Sequence, residues 1–69
     1  MIKNIFDSLT EDQKRTIVGA LEFELSHTQE QLEMYQNYMP KSQKIIQSQE
    51  DIQQLEELIA ILTEAFNLD

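Results

Sequence analysis

The chain has no cysteine, one glycine, one proline and one histidine among its 69 residues. Without cysteine there are no disulfides, no thiolate nucleophile and no cysteine-held zinc. With a single glycine there is no phosphate-cradling loop, and a single histidine must serve any metal or triad chemistry. Bases are also scarce: Lys and Arg number 5 against 13 Asp and Glu, for a net charge of −8. Phosphate backbones and anionic membrane surfaces repel such a chain. The longest apolar run, Leu58-Ile59-Ala60-Ile61-Leu62, is far too short to span a bilayer. The first residues carry no signal-peptide apolar region. The sequence therefore reads as a cytoplasmic, non-enzymatic protein that needs no cofactor.

What is present is helical. Gln, Glu, Leu and Ile dominate, mostly good helix formers, and no stretch alternates in the manner of a strand. A short helix over residues 1–9 is expected from Ile2, Ile5, Phe6 and Leu9 on one face; alone it is too short to persist, so it must pack on something. Two overlapping capping boxes follow, Ser8 with Glu11 and Thr10 with Gln13, and Glu11 and Asp12 favour the positive end of a helix beginning near residue 11.

A heptad then runs through Val18, Leu25, Leu32 and Met39, with Leu21, Thr28 and Tyr35 between. A second runs through Ile45, Ile52, Ile59 and Phe66, with Ser48, Leu55 and Leu62. The two are out of phase, since Met39 and Ile45 are six residues apart, and Pro40 lies in the skip. Proline removes a helical donor and drives the preceding residue from helical geometry. The spacing predicts helices over 11–38 and 42–67 with a reversal over 38–43. The kinked continuous helix is the alternative, because the turn holds no Gly, Asn or Asp. A reversal centred on Pro40 pairs Val18 with Leu62, Leu25 with Leu55, Leu32 with Ser48 and Tyr35 with Ile45. A one-turn slip would start the second helix at Ser48 and strand Ile45 and Ile46 in a loop. Gly19 falls outside the seam, either tolerated or allowing a close helix approach.

The expected fold is one all-α domain, 1–69: an antiparallel hairpin with a short N-terminal helix. So small a chain buries only about 60% of its unfolded surface, and it lacks the usual covalent staples. Apolar residues also recur off the seams, at Ala20, Phe23, His27 and Met34, and at Leu58, Ile61, Ala65 and Leu68. A partner copy would bury them. The expectation is a homo-oligomer, a dimer forming a four-helix or larger bundle. Phe23, Leu58, Ile61, Ala65 and Leu68 are the expected interface, at the end of the hairpin that holds both termini.

Three features bear on function. Glu24-Leu25-Ser26-His27 has the Glu-x-x-His spacing of metal-binding bundles, but it flanks the seam; a packed histidine is the plainer reading. Met34 and Tyr38 point away from the seam beside the turn, and Met and Tyr are favoured in interface cores. The acids Glu50, Asp51, Glu56 and Glu57 stand in a base-free stretch. Met34, Tyr38 and these acids are the expected contacts with a protein partner. The chain is thus an acidic protein-binding module. One alternative is an inhibitor whose acidic surface mimics nucleic acid in the groove of a basic nucleic-acid-binding protein; the other is a metal-binding bundle using Glu24 and His27.

Overall fold

The structure, a computed structural model, describes residues 8–68. Helix α1 spans Glu11–Tyr38 and helix α2 spans Lys44–Ala65, packed as an antiparallel hairpin. The described residues contain no strand. The segment holding Ile2, Ile5 and Phe6 lies outside the described residues.

The start of α1 settles the choice between the two capping boxes. The Thr10 hydroxyl oxygen accepts from the Gln13 N–H at 3.0 Å, and Gln13 Oε1 accepts from the Thr10 N–H at 2.9 Å. Thr10 is extended, φ −73° and ψ 164°, the geometry a cap needs to aim its side chain at the orphan donors.

The reversal needs no glycine. Met39, ahead of Pro40, leaves the helix at φ −138° and ψ 61° while its N–H still bonds Tyr35 O at 2.7 Å. The Ser42 N–H then closes Met39-Pro40-Lys41-Ser42 onto Met39 O at 2.9 Å. Proline suits the second position of such a turn, which requires no positive φ. Ser42 Oγ accepts the Lys44 N–H at 3.1 Å. That local bond delays regular helix, so α2 begins two residues later than the spacing predicts.

The seam between the helices is the one the heptads define. Val18, Thr28, Ser48 and Phe66 are buried, and Leu21, Leu25, Leu32, Tyr35, Ile45, Ile52, Leu55, Ile59 and Leu62 are half-buried. Thr28 is silenced within its own helix, its hydroxyl donating to Glu24 O at 2.9 Å. Lysines close the seam at both ends: Lys14 Nζ sits 5.8 Å from the centre of the Phe66 ring and Lys44 Nζ 5.8 Å from that of Tyr35. Both contacts fit the Pro40-centred register, and the inclusion of Ile45 and Ile46 in α2 excludes the slipped one. Met39, the last seam position of the first heptad, is 47% exposed, because the chain leaves the helix there.

One element of the expected second stripe goes elsewhere. α2 ends at Ala65, and Asn67 takes φ 56°. The Asn67 N–H bonds Glu64 O at 3.1 Å and the Leu68 N–H bonds Thr63 O at 3.0 Å, the paired bonds of a Schellman motif. The reversal swings Leu68 back onto the hairpin, where it is buried with Val18 and Phe66, against Leu9, Ile17, Ile59 and Leu62. Leu68, expected at an oligomer interface, is therefore core of its own chain. A continuing helix would have kept it beside Ile61; the left-handed residue moves it.

The molecule measures 50 × 23 × 15 Å, and its described residues form a single layer of two helices. Its radius of gyration is 15.4 Å, against about 11 Å for a compact chain of this length. Its accessible surface is 5677 Å², where a compact monomer of this mass exposes about 4,500 Å².

Two substitutions should act in opposite directions. A Cβ at Gly19 meets nothing within 4 Å, so Gly19→Ala should stabilise by about 1 kcal/mol through helix propensity alone. Asn67→Val should cost about 1–2 kcal/mol, because a β-branched residue resists the left-handed region. In thermal melts each kcal/mol should shift the midpoint by about 4–8 °C.

Candidate interaction surface

In an antiparallel hairpin, residues just outside the seam on one side of α1 face their counterparts on the same side of α2. The two flanks so formed differ. The first is marked by a shallow groove of about 270 Å³ lined by Glu24 and Thr28 from α1 and Asp51, Gln54, Leu55 and Leu58 from α2. Helical periodicity adds Ala20, His27 and Met34 on α1 and Ile61 and Ala65 on α2 to this flank. The second flank has a groove of about 380 Å³ lined by Arg15, Val18, Glu22, Ile59, Thr63 and Leu68. Leu68 has thus changed sides as well as depth.

The expected interface residues other than Leu68 remain uncovered. Phe23 is 76% exposed, Ile61 62% and Leu58 42%, and Ala65 is exposed. Leu58, Ile61 and Ala65 share the first flank, while Phe23 stands on the outer edge of α1. Leu58 and Ile61 are thus exposed apolar neighbours, three residues apart on one face of α2.

Beside the turn, Tyr38 is 79% exposed, and Met34 and Met39 are exposed with it. This patch closes the hairpin end opposite the buried Val18–Phe66–Leu68 cluster. The residue that completes it, Met39, was assigned to the seam by its heptad number. The signal that could have moved it was Pro40, which forces its predecessor out of the helix.

The four acids do not form one surface. Glu50 and Glu57 project from the outer edge of α2, Glu56 from the second flank, and Asp51 into the groove of the first. Asp51 Oδ1 accepts from Gln47 Nε2 at 3.0 Å, and Glu57 Oε1 accepts from Gln53 Nε2 at 3.3 Å. With no base in this part of α2, glutamine one turn earlier supplies the donor, an i,i+4 pairing worth a few tenths of a kcal/mol.

Glu24 and His27 do lie on one flank, and both are exposed. Among the described residues no group of three or more His, Cys, Asp or Glu side chains comes together in a metal-holding arrangement. Nor is any helix among them long and apolar enough to cross a membrane.

The chain matches no known protein family, no curated protein and no solved structure. Its surface chemistry is accordingly the whole basis for a functional reading.

If His27 is a surface residue, divalent zinc or manganese should leave the thermal midpoint of the protein unshifted, and His27→Gln should melt alike with and without metal. A stoichiometric metal lost on that substitution would show instead that Glu24 and His27 bind it.

Proposed function

We propose that the chain is a non-enzymatic interaction module that self-associates through its first flank and contacts a protein partner through the patch at its turn. The observation that carries this reading is the uncovered apolar set, Leu58, Ile61 and Ala65 on α2 and Phe23 on the outer edge of α1, on a hairpin whose described residues form one layer. Stable domains bury the apolar stripe of each helix between at least two layers, and the second layer available to this chain without further assumption is another copy. Two hairpins stacked face to face make a four-helix bundle.

The partner contact is assigned to Met34, Tyr38 and Met39 because all three are exposed where α1 ends at the turn. Tyrosine is among the residues that dominate binding energy when an interface covers them. The acids Glu50, Asp51, Glu56 and Glu57 serve as a field that favours a basic partner and speeds its encounter. Nucleic-acid mimicry is less well supported, because these acids point to different sides of α2 instead of forming a track.

Sedimentation should give a mass near twice 8.1 kDa, and Ile61→Glu should return it to the chain mass with helix content retained. In a pull-down at low and high salt, Tyr38→Ala should lose the partner at both. Glu56→Lys with Glu57→Lys should weaken capture at low salt only. Loss in the charge-reversed protein at both salts, with Tyr38→Ala unaffected, would transfer the contact to the acidic face.

A further inference from the structure

The first flank is divided along its length. Among the described residues, its half nearest the termini carries Ile17, Ala20, Leu58, Ile61 and Ala65, with no charged side chain between them on this flank. Glu24 stands at mid-length, in the groove that also holds Leu58, and His27, Lys44, Asp51 and Gln54 lie from there toward the turn. We infer that a second copy packs antiparallel and offset, so that only the terminal halves overlap, with the two-fold axis passing beside Ile61. This rests on the self-association proposed above and adds its geometry.

Three arrangements bury this flank on its own copy. Full overlap with like ends together puts Glu24 and Asp51 of both copies into one closed centre. Four carboxylates there are desolvated against like charge, a cost of several kcal/mol for each unpaired ion. Full overlap with opposite ends together lays Leu58 and Ile61 over the polar half of the partner, covering Gln54 and Asp51 with apolar side chains and leaving their polar atoms unpaired. The offset arrangement avoids both. It sets apolar half on apolar half, which is the self-complementarity a two-fold interface demands. It leaves Asp51, His27 and Lys44 in water. It also brings Glu24 to the level of the partner's Lys14, an opposite charge.

Half of the 50 × 23 Å face covers roughly 600 Å² per copy, a total just above the ~1,000 Å² that separates specific interfaces from casual ones. The dimer is then a long rod with its two turns at opposite ends. Each end presents one Met34–Tyr38 patch, so the dimer is bivalent, and a partner with two matching sites gains avidity from it.

The absence of cysteine allows clean placement of single spin labels. Lys41→Cys marks the turn and Glu64→Cys the outer edge of α2 near the termini; both positions are exposed. At 1.5 Å rise per residue, the offset dimer predicts a Lys41→Cys pair separated by more than about 55 Å and a Glu64→Cys pair closer than about 25 Å. A Lys41→Cys pair near roughly 20–25 Å would mean like ends together, and both pairs near roughly 35–45 Å would mean full antiparallel overlap. Either would overturn the offset geometry and leave self-association standing. No dipolar coupling at either site, with the chain mass in sedimentation, would overturn self-association itself.

Discussion

Everything in this hairpin depends on a single seam. Two helices in one layer meet along one line, so each seam side chain is covered by one neighbouring helix and stays partly open on its flanks. No described side chain falls below 2% exposure, and most seam leucines and isoleucines are only half-buried. The two small polar seam residues, Thr28 and Ser48, are buried because short side chains sit between the helices where longer ones reach past them. The deepest apolar cluster, Val18, Phe66 and Leu68, forms only where the chain beyond α2 folds back and supplies a third wall.

The ends of the helices decide what the seam can hold. The reciprocal Thr10–Gln13 cap fixes where α1 begins, Pro40 fixes where it stops, and the Met39–Ser42 turn returns the chain without a left-handed residue. At the other end a left-handed Asn67 does the opposite work and reverses the chain onto its own core. The lysines over Phe66 and Tyr35 then close the two mouths of the seam with their alkyl stems and charges. α2 has no acid in its first turn and no base in its last, so its dipole receives no help from side chains. Packing against α1 is what keeps it formed.

Much of this is legible in the residues. Heptads at Val18–Leu32 and Ile45–Phe66 report which faces meet, since burial follows period directly. Their phase break at Pro40 reports the reversal because proline acts locally, disfavouring helical geometry at its predecessor. What escapes is set by geometry that has no period. Leu68 numbers into the stripe with Leu58 and Ile61, yet one positive φ at Asn67 carries it to the core. Asp51, Glu56 and Glu57 are near neighbours in sequence and diverge by roughly a hundred degrees per residue around α2, so a run of acids does not become a surface. The segment with Ile2, Ile5 and Phe6 lies outside the described residues, and its expected helix stays an expectation.

The rod is asymmetric along its length: apolar on one flank near the termini, charged in the middle, aromatic and methionine-rich at the turn. In the proposed account the first region joins copies and the last meets a partner, while the acidic exterior keeps the assembly soluble and selects for basic surfaces. The central claim is that one layer is not enough and a second copy supplies the other. Thermal melting followed by circular dichroism over a roughly hundredfold range of protein concentration tests it most directly, because association stabilises by mass action. The account predicts a midpoint that climbs steadily with concentration. A midpoint that stays constant across the range would contradict it.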